Sequence, residues 1–408
     1  MLGQQQQANT LIRRLSYEYL CIIYLLFKQL RVHSKAIKKA GGVMLRKSVA
    51  KLPDYVSDST PERLAKAAGL AKLTRLSFNE NPVGTSPKVK EALANWAFSQ
   101  GRNYPDPDAL PLRTAVAERL HVNPDQLLFS SGLDEMIALI CRTFLEVGDE
   151  SLQPWPTYPE YQLQAAIAGA TTVNAAVTPA TGLIDLDDLA AHITAKTKVI
   201  WLCNPNNPTG TYLPISQIAQ FMKRVPTDVL VVVDEAYIDF VADVPNPSAL
   251  SLVTQFNNLL VMRTFSKLYG LANFRVGFSI VPQRIIAKMQ NVRLPYNISG
   301  ISQTAALAAW QDQAFTQTVK QQLLTARQQW SAFFEANRIQ HYASQTNFML
   351  YQVADPQALG AFLKQHGYLV RDSMVPGWIR QSFGTPAQDA EMRQLLLTFL
   401  KTDTEVPN

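Results

Sequence analysis

Val229-Leu230-Val231-Val232-Val233-Asp234-Glu235-Ala236-Tyr237 is the stretch on which the fold turns. A strand with one wet face would alternate apolar and polar residues. Five apolar residues in succession suit a strand buried on both faces, as in a parallel sheet covered by helices. The run then stops at a carboxylate, a group that is costly to bury without a partner. Two further runs behave alike. Val199-Ile200-Trp201-Leu202 leads to Asn204-Pro205-Asn206-Asn207-Pro208-Thr209-Gly210, and Leu259-Leu260-Val261-Met262 leads to Arg263-Thr264-Phe265-Ser266-Lys267. Three buried strands thus deliver polar or ionisable groups at their carboxyl ends, where open α/β sheets bind ligands.

Outward from these runs, helix and strand alternate from about residue 85. Ser86-Pro87 is a helix-start signal, a capping residue followed by proline, and predicts a helix over Lys88–Phe98. Leu127–Ser130 reads as a short strand and Asp134–Leu145 as a helix, its apolar residues at helical spacing. Trp201, Trp330, Phe333 and Phe334 are expected in the core, and the Gln-rich stretch Thr318–Trp330, with Arg327, as an exposed helix.

The net charge of +6 does not imply a polyanion partner. Residues 1–43 carry seven basic residues and the single acid Glu18, which accounts for all of it; from Met44 onward, 31 bases balance 31 acids. No nucleic-acid surface is therefore expected. The apolar run Leu20–Phe27 is far short of the roughly 20 residues that span a bilayer. Lys28-Gln29-Leu30-Arg31 after it is no signal-peptide cleavage site. Gly41-Gly42, encoded by GGN codons shortly before Met44, suits a ribosome-binding site. Residues 1–43 are accordingly expected to be a disordered extension or translated upstream sequence, with a start at Met44. The cysteines Cys21, Cys141 and Cys203 lie far apart, which argues against a disulfide framework and for a reducing, cytoplasmic setting. The five histidines show no metal-ligand spacing, so no metal site is expected.

The groups at the strand ends match the demands of a pyridoxal 5'-phosphate site. Such a site needs an amine that is neutral near pH 7, which Lys267 can supply if its surroundings lower its pKa. It needs a carboxylate against the pyridine nitrogen, and Asp234 ends a buried strand. Asn207 and Tyr237 can donate to the phenolic oxygen. Gly132, Leu133 and Asp134 open a helix whose free N–H groups suit a phosphate, with Thr264, Ser266 and Arg275 completing the cup.

In ordered combination, N-P-N-N-P-T-G, D-E-A-Y and T-F-S-K, with Arg275 eight residues after the lysine, resemble fold-type I aminotransferases. Asn79-Glu80-Asn81-Pro82, Tyr104-Pro105-Asp106, Gly132-Leu133-Asp134-Glu135, Pro156-Thr157-Tyr158, Arg371-Asp372 and Ile379-Arg380 resemble, more narrowly, the histidinol-phosphate aminotransferase family. The match runs from about Leu52 to about Thr385. It implies an α/β protein with a large domain around a mostly parallel sheet and a smaller α+β domain. The divisions expected are an extension at 1–43, an arm and part of the small domain at 44–84, the cofactor domain at 85–305 and the small domain at 306–408. By the same resemblance, Lys267 holds the cofactor covalently and moves the proton during transamination. Tyr158 stacks on the ring, and Asn207 counts among cofactor and substrate contacts alike. Tyr104 reaches the cofactor phosphate of a neighbouring subunit, which implies a homodimer. Arg380 takes the α-carboxylate of glutamate, and Arg371 with Arg380 suits the phosphate of histidinol phosphate. Two positions depart from the family pattern: Tyr55-Val56-Ser57-Asp58 replaces Tyr-x-Pro-Gly, and Asn273 stands where glycine is common. Neither is expected to touch the cofactor chemistry.

The activity implied is exchange of an amino group between histidinol phosphate and 2-oxoglutarate in histidine biosynthesis. An aromatic-amino-acid aminotransferase or a phosphothreonine decarboxylase would keep the same lysine, aspartate and phosphate cup. A cofactor-binding regulator would need a helix-turn-helix domain, for which residues 1–43 are too short. A dehydrogenase would need a glycine fingerprint that is missing.

Overall fold

The three apolar runs lie side by side at the centre of a seven-stranded sheet. The computed structural model describes residues 45–54 and 59–404. The expectations for residues 1–43 and for Tyr55–Asp58 fall outside the described residues. In chain order the strands are β1 (Thr74–Arg75), β2 (Leu127–Ser130), β3 (Glu150–Trp155), β4 (Thr171–Ala176), β5 (Thr197–Cys203), β6 (Leu230–Asp234), β7 (Leu259–Thr264), β8 (Gly277–Ile280), β9 (Phe348–Gln352), β10 (Tyr368–Leu369) and β11 (Trp378–Ser382). The large sheet runs β2-β8-β7-β6-β5-β3-β4, and every pairing in it is parallel except those of β8 with β2 and β7.

Burial on both faces explains the unbroken apolar runs. Val231 and Val233 of β6, Ile200 and Leu202 of β5, and Leu259 and Val261 of β7 pack into one core. The alternate residues Leu230 and Val232, Val199 and Trp201, and Leu260 and Met262 pack into a second core on the other face. Helices Gly132–Phe144 and Gln283–Val292 contribute to that second core, Met136, Ile137 and Ile140 from the former and Ile286 and Met289 from the latter. At roughly 25 cal/mol per Å² of apolar surface buried, the two layers are the main source of stability.

The predicted helix starts hold to within a residue or two. Ser86 Oγ accepts the Lys88 N–H at 3.1 Å, and Pro87 is the first helical residue. That helix ends at Ala94, however, because the chain tightens into a 3-10 turn over Phe98–Arg102. The stretch Thr318–Trp330 belongs to a longer helix, Gln313–Ala336, and it is not exposed all round. Val319, Leu323 and Trp330 are buried, and Arg327 Nη1 donates to the Phe240 carbonyl at 3.0 Å. The glutamines face solvent while the apolar positions at helical spacing face the core. Trp201 and Phe334 are fully buried and Trp330 nearly so, while Phe333 is partly buried against the core.

Two small sheets accompany the large one. β1 pairs in parallel with β10, and β9 pairs antiparallel with β11. Tyr368-Leu369 is thus a strand, but its neighbour is β1 rather than the strand that carries Arg380. Arg371 still reaches Arg380, through an isolated antiparallel bridge with N···O distances of 3.0 and 2.9 Å. The described residues from Leu52 onward form one compact unit. The preceding described segment contains the 3-10 turn Val49–Lys51. Among the described residues no helix is long and apolar enough to cross a membrane.

Candidate active site

A cavity of about 890 Å³ opens at the carboxyl ends of β5, β6 and β7. It is lined by Asn207, Asp234, Tyr237, Thr264, Ser266, Lys267 and Arg275 from the large sheet and its loops, and by Arg371 and Arg380 from the C-terminal part. Leu133, Asp134 and Tyr158 complete that wall.

Lys267 follows β7 by three residues, and its Nζ donates to the Phe78 carbonyl at 2.8 Å. Burial, and secondly the Arg380 guanidinium, push its amine down to about 8. That is the direction a nucleophilic lysine requires. Asp234 ends β6, only 3 % exposed. Burial pushes its carboxyl up to about 6, although two donors oppose the rise: the Tyr161 hydroxyl on Oδ2 at 2.5 Å and the Ala236 N–H on Oδ1 at 3.0 Å. A carboxylate placed this way is satisfied best by a cation from the cavity side.

Asn207 spends its carbonyl oxygen on Arg380 Nη1 at 2.6 Å, so its amide N–H is what it can offer to the cavity. Tyr237 accepts the Asn79 side-chain N–H at 2.9 Å, and Asn79 is itself clasped by Ser382, whose hydroxyl donates to Asn79 Oδ1 at 2.9 Å. Tyr237 can therefore direct its own proton into the cavity. Arg380 is buried; Nη2 donates to the Ser77 carbonyl, and Nε is buried without a hydrogen-bond partner. Burial holds this guanidinium down to about 10, the mark of a cation that an incoming anion would relieve. Arg371 is half-buried, its guanidinium 5.5 Å from the Phe78 ring centre.

The cup expected to take a phosphate is shaped by sterics as well as by donors. Gly132 opens its helix at φ +74°, and a Cβ there would collide with the Arg275 guanidinium. Arg275 Nη2 donates to Asp134 Oδ2 at 3.2 Å, and the Tyr158 hydroxyl donates to Asp134 Oδ1 at 2.9 Å. Thr264 Oγ1 accepts the Ser266 N–H at 3.0 Å, which turns the chain toward Lys267. These residues fit pyridoxal phosphate: an amine of lowered pKa, a buried carboxylate, and a cradle at a helix start with an arginine over a glycine.

Tyr104 stands apart. It is 82 % exposed, stacks on Tyr296 at 4.7 Å, and lines a separate depression with Trp96 and Ile301. Asn273 is among the residues that line the cavity. The residues that sequence reasoning missed are Tyr161, which holds Asp234, and the group Arg75, Phe78 and Glu80. Arg75 Nε donates to Glu80 Oε2 at 3.0 Å beside the Phe78 ring. Asn79-Glu80 was visible as a motif, and Tyr161 lies in the first turn of the helix Glu160–Ala168, three residues after Tyr158.

Known proteins resemble this chain along nearly all of the matched length. The model of the family described as aminotransferase class I and II matches residues 71–396. A histidinol-phosphate aminotransferase of Lactiplantibacillus plantarum is 41 % identical over 355 residues, covering 87 % of this chain and 99 % of that protein. Histidinol-phosphate aminotransferase 1 of Bacillus cereus is 39 % identical over 357 residues, covering 86 % and 95 %. The crystal structure of histidinol-phosphate aminotransferase from Sinorhizobium meliloti in complex with pyridoxal-5'-phosphate superposes with a TM-score of 0.79 at 24 % identity, covering 88 % of this chain and all of that one, and shows the shared fold. The chain belongs to the class I and II aminotransferases and, within them, to the histidinol-phosphate aminotransferase family.

Proposed function

We propose that the protein exchanges an amino group between histidinol phosphate and 2-oxoglutarate, with imidazole acetol phosphate and glutamate as the other pair, as a step of histidine biosynthesis. The observation that carries this reading is the meeting, in one cavity, of Lys267 and Asp234 with two arginines, Arg371 and Arg380, whose backbones pair directly. Both substrates are anionic, and two guanidinium forks suit a carboxylate or a phosphate.

Pyridoxal phosphate bound here supplies an aldehyde for the amino group and a ring that withdraws electrons. Gly132, Leu133, Asp134, Thr264, Ser266 and Arg275 would hold its phosphate, Tyr158 its ring face, Asp234 its ring nitrogen, and Asn207 and Tyr237 its phenolic oxygen. The chain does the rest. Lys267, whose amine burial makes easier to deprotonate, attaches the cofactor and carries a proton at Nζ during the exchange. Arg380 orients the substrate anion, and its bond to Asn207 ties substrate and cofactor contacts together. Arg371 adds the second fork that a phosphate can use.

Tyr104 we assign to a neighbouring subunit's cofactor phosphate in a homodimer; its exposure, beside exposed Tyr296 and Ile301, supports a covered position. A cytoplasmic setting and division into a cofactor domain at 85–305 and a small domain at 306–408 complete the reading. The test is the rate at which the purified protein consumes histidinol phosphate when 2-oxoglutarate is present. Half-reactions with phenylalanine and threonine phosphate separate the aromatic aminotransferase and decarboxylase alternatives. Faster turnover of either would replace the substrate named here.

A further inference from the structure

The carboxylate at the cavity floor rests on a tyrosine outside the cavity. Tyr161 is fully buried, and its hydroxyl donates to Asp234 Oδ2 at 2.5 Å. Its ring has one place to go. It lies flat on the Trp201 indole, with 4.6 Å between centres and 7° between planes, and Tyr158 meets it edge-on at 5.6 Å and 80°. Trp201 is pinned in turn, because its Nε1–H donates to Ser151 Oγ at 3.0 Å. The phenol therefore arrives at Asp234 from a fixed direction, set by two neighbouring strands and a helix.

We propose that Tyr161 is the positioning residue for Asp234, fixing the plane of its carboxylate so that a lone pair still free faces a protonated ring nitrogen in the cavity. This rests on the cofactor reading above. The accounting of acceptors supports it. Oδ1 takes the Ala236 N–H and Oδ2 takes the Tyr161 hydroxyl, so neither oxygen can swing without losing a bond. A donor on a buried carboxylate also favours its charged form. The other titratable groups around Asp234 are Cys203, Asp134, Glu235 and Tyr237, and none of them supplies a hydrogen-bond donor to either of its oxygens. A residue just before the helix of Tyr161 serves the opposite end of the site, since Tyr158 holds Asp134, which holds Arg275. The short segment Tyr158–Tyr161 thus registers the nitrogen end against the phosphate end.

A tyrosine with a merely structural role would make a different prediction, and Tyr161→Phe separates the two. Phenylalanine keeps the stack on Trp201 and removes only the donor. Apoprotein of both forms is titrated with pyridoxal phosphate and with its 1-deaza analogue, in which carbon replaces the ring nitrogen. Expected is a loss of affinity on the order of tenfold for pyridoxal phosphate and little change for the analogue. The fall in pyridoxal phosphate affinity on acidification should also begin at higher pH in the variant, because a donor that favours the carboxylate is gone. Equal effects on both ligands, or none on either, would overturn the proposal. Wild-type apoprotein that binds neither ligand would instead overturn the cofactor reading itself.

Discussion

The floor and the rim of the cavity are built on different principles. The floor is the ends of β5, β6 and β7, adjacent parallel strands whose spacing the sheet fixes; Asp234 and Asn207 there are buried and hydrogen-bonded. The rim draws Arg75, Phe78 and Glu80 from one end of the chain and Arg371 from the other, and Arg75 and Glu80 are 23 % and 36 % exposed. Groups that do the same chemistry for every substrate sit where the backbone cannot move. Groups that distinguish substrates sit where side chains can be exchanged at small cost to folding.

This contrast breaks if floor substitutions prove mild. Lys267→Ala should lower transamination by about ten-thousand-fold or more, because nucleophile and proton carrier go together. Steady-state assay of the purified variant checks this; retained turnover would remove Lys267 from the centre of the site.

Asp234→Asn should lower turnover on the order of a hundred-fold while the variant still folds. Its effect on stability has the opposite sign. The folded-state pKa of Asp234 is raised to about 6 from an ordinary 3.8, so in the apoprotein this group weakens folding progressively as pH rises between those values, and fully above them. Thermal unfolding of apoprotein should therefore show the asparagine variant more stable at pH 8 and without advantage below about pH 4. A wild-type apoprotein more stable than the variant at pH 8 would mean that Asp234 already has a cation.

The rim should respond selectively. Arg371→Ala should weaken histidinol phosphate by roughly ten- to a hundred-fold and phenylalanine little, since phenylalanine has no distal anion. Equal losses for both would assign Arg371 to the α-carboxylate and favour the aromatic alternative.

The smallest effect concerns communication between the regions. The Arg380 charge is the second cause of the lowered Lys267 pKa, after burial. In Arg380→Met apoprotein the lysine should hold its proton to higher pH. Its modification by an amine-reactive probe should thus be slower below pH 8 and should catch up above it. An unchanged pH profile would show that burial alone sets the amine.

Legibility in the sequence followed the same division. Asn207, Asp234 and Lys267 could be read because each ends a continuous apolar run, and a strand buried on both faces has a local signature. The roles of Arg371 and Arg380 were readable only through resemblance, and although their segments do meet in a bridge, the partner of β10 was not readable. β10 is two residues long and pairs with β1, far away in sequence, which no local pattern encodes. Tyr161 escaped notice for another reason. A buried tyrosine beside a tryptophan reads as ordinary core, and only the hydrogen bond to Asp234 distinguishes it. The helix around Arg327 reads as exposed because it is rich in glutamine, although the spacing of its apolar residues decides which face is buried.

The contact between Gly132 and Arg275 has a consequence for how this protein can diverge. A methyl group at 132 would collide with the guanidinium, yet trimming Arg275 would not open the position, because φ +74° would still disfavour any side chain. Two independent obstacles guard one residue, so no single compensating substitution rescues a change there. Drift can rework the substrate rim one residue at a time, whereas position 132 stays glycine for as long as the chain keeps its turn there.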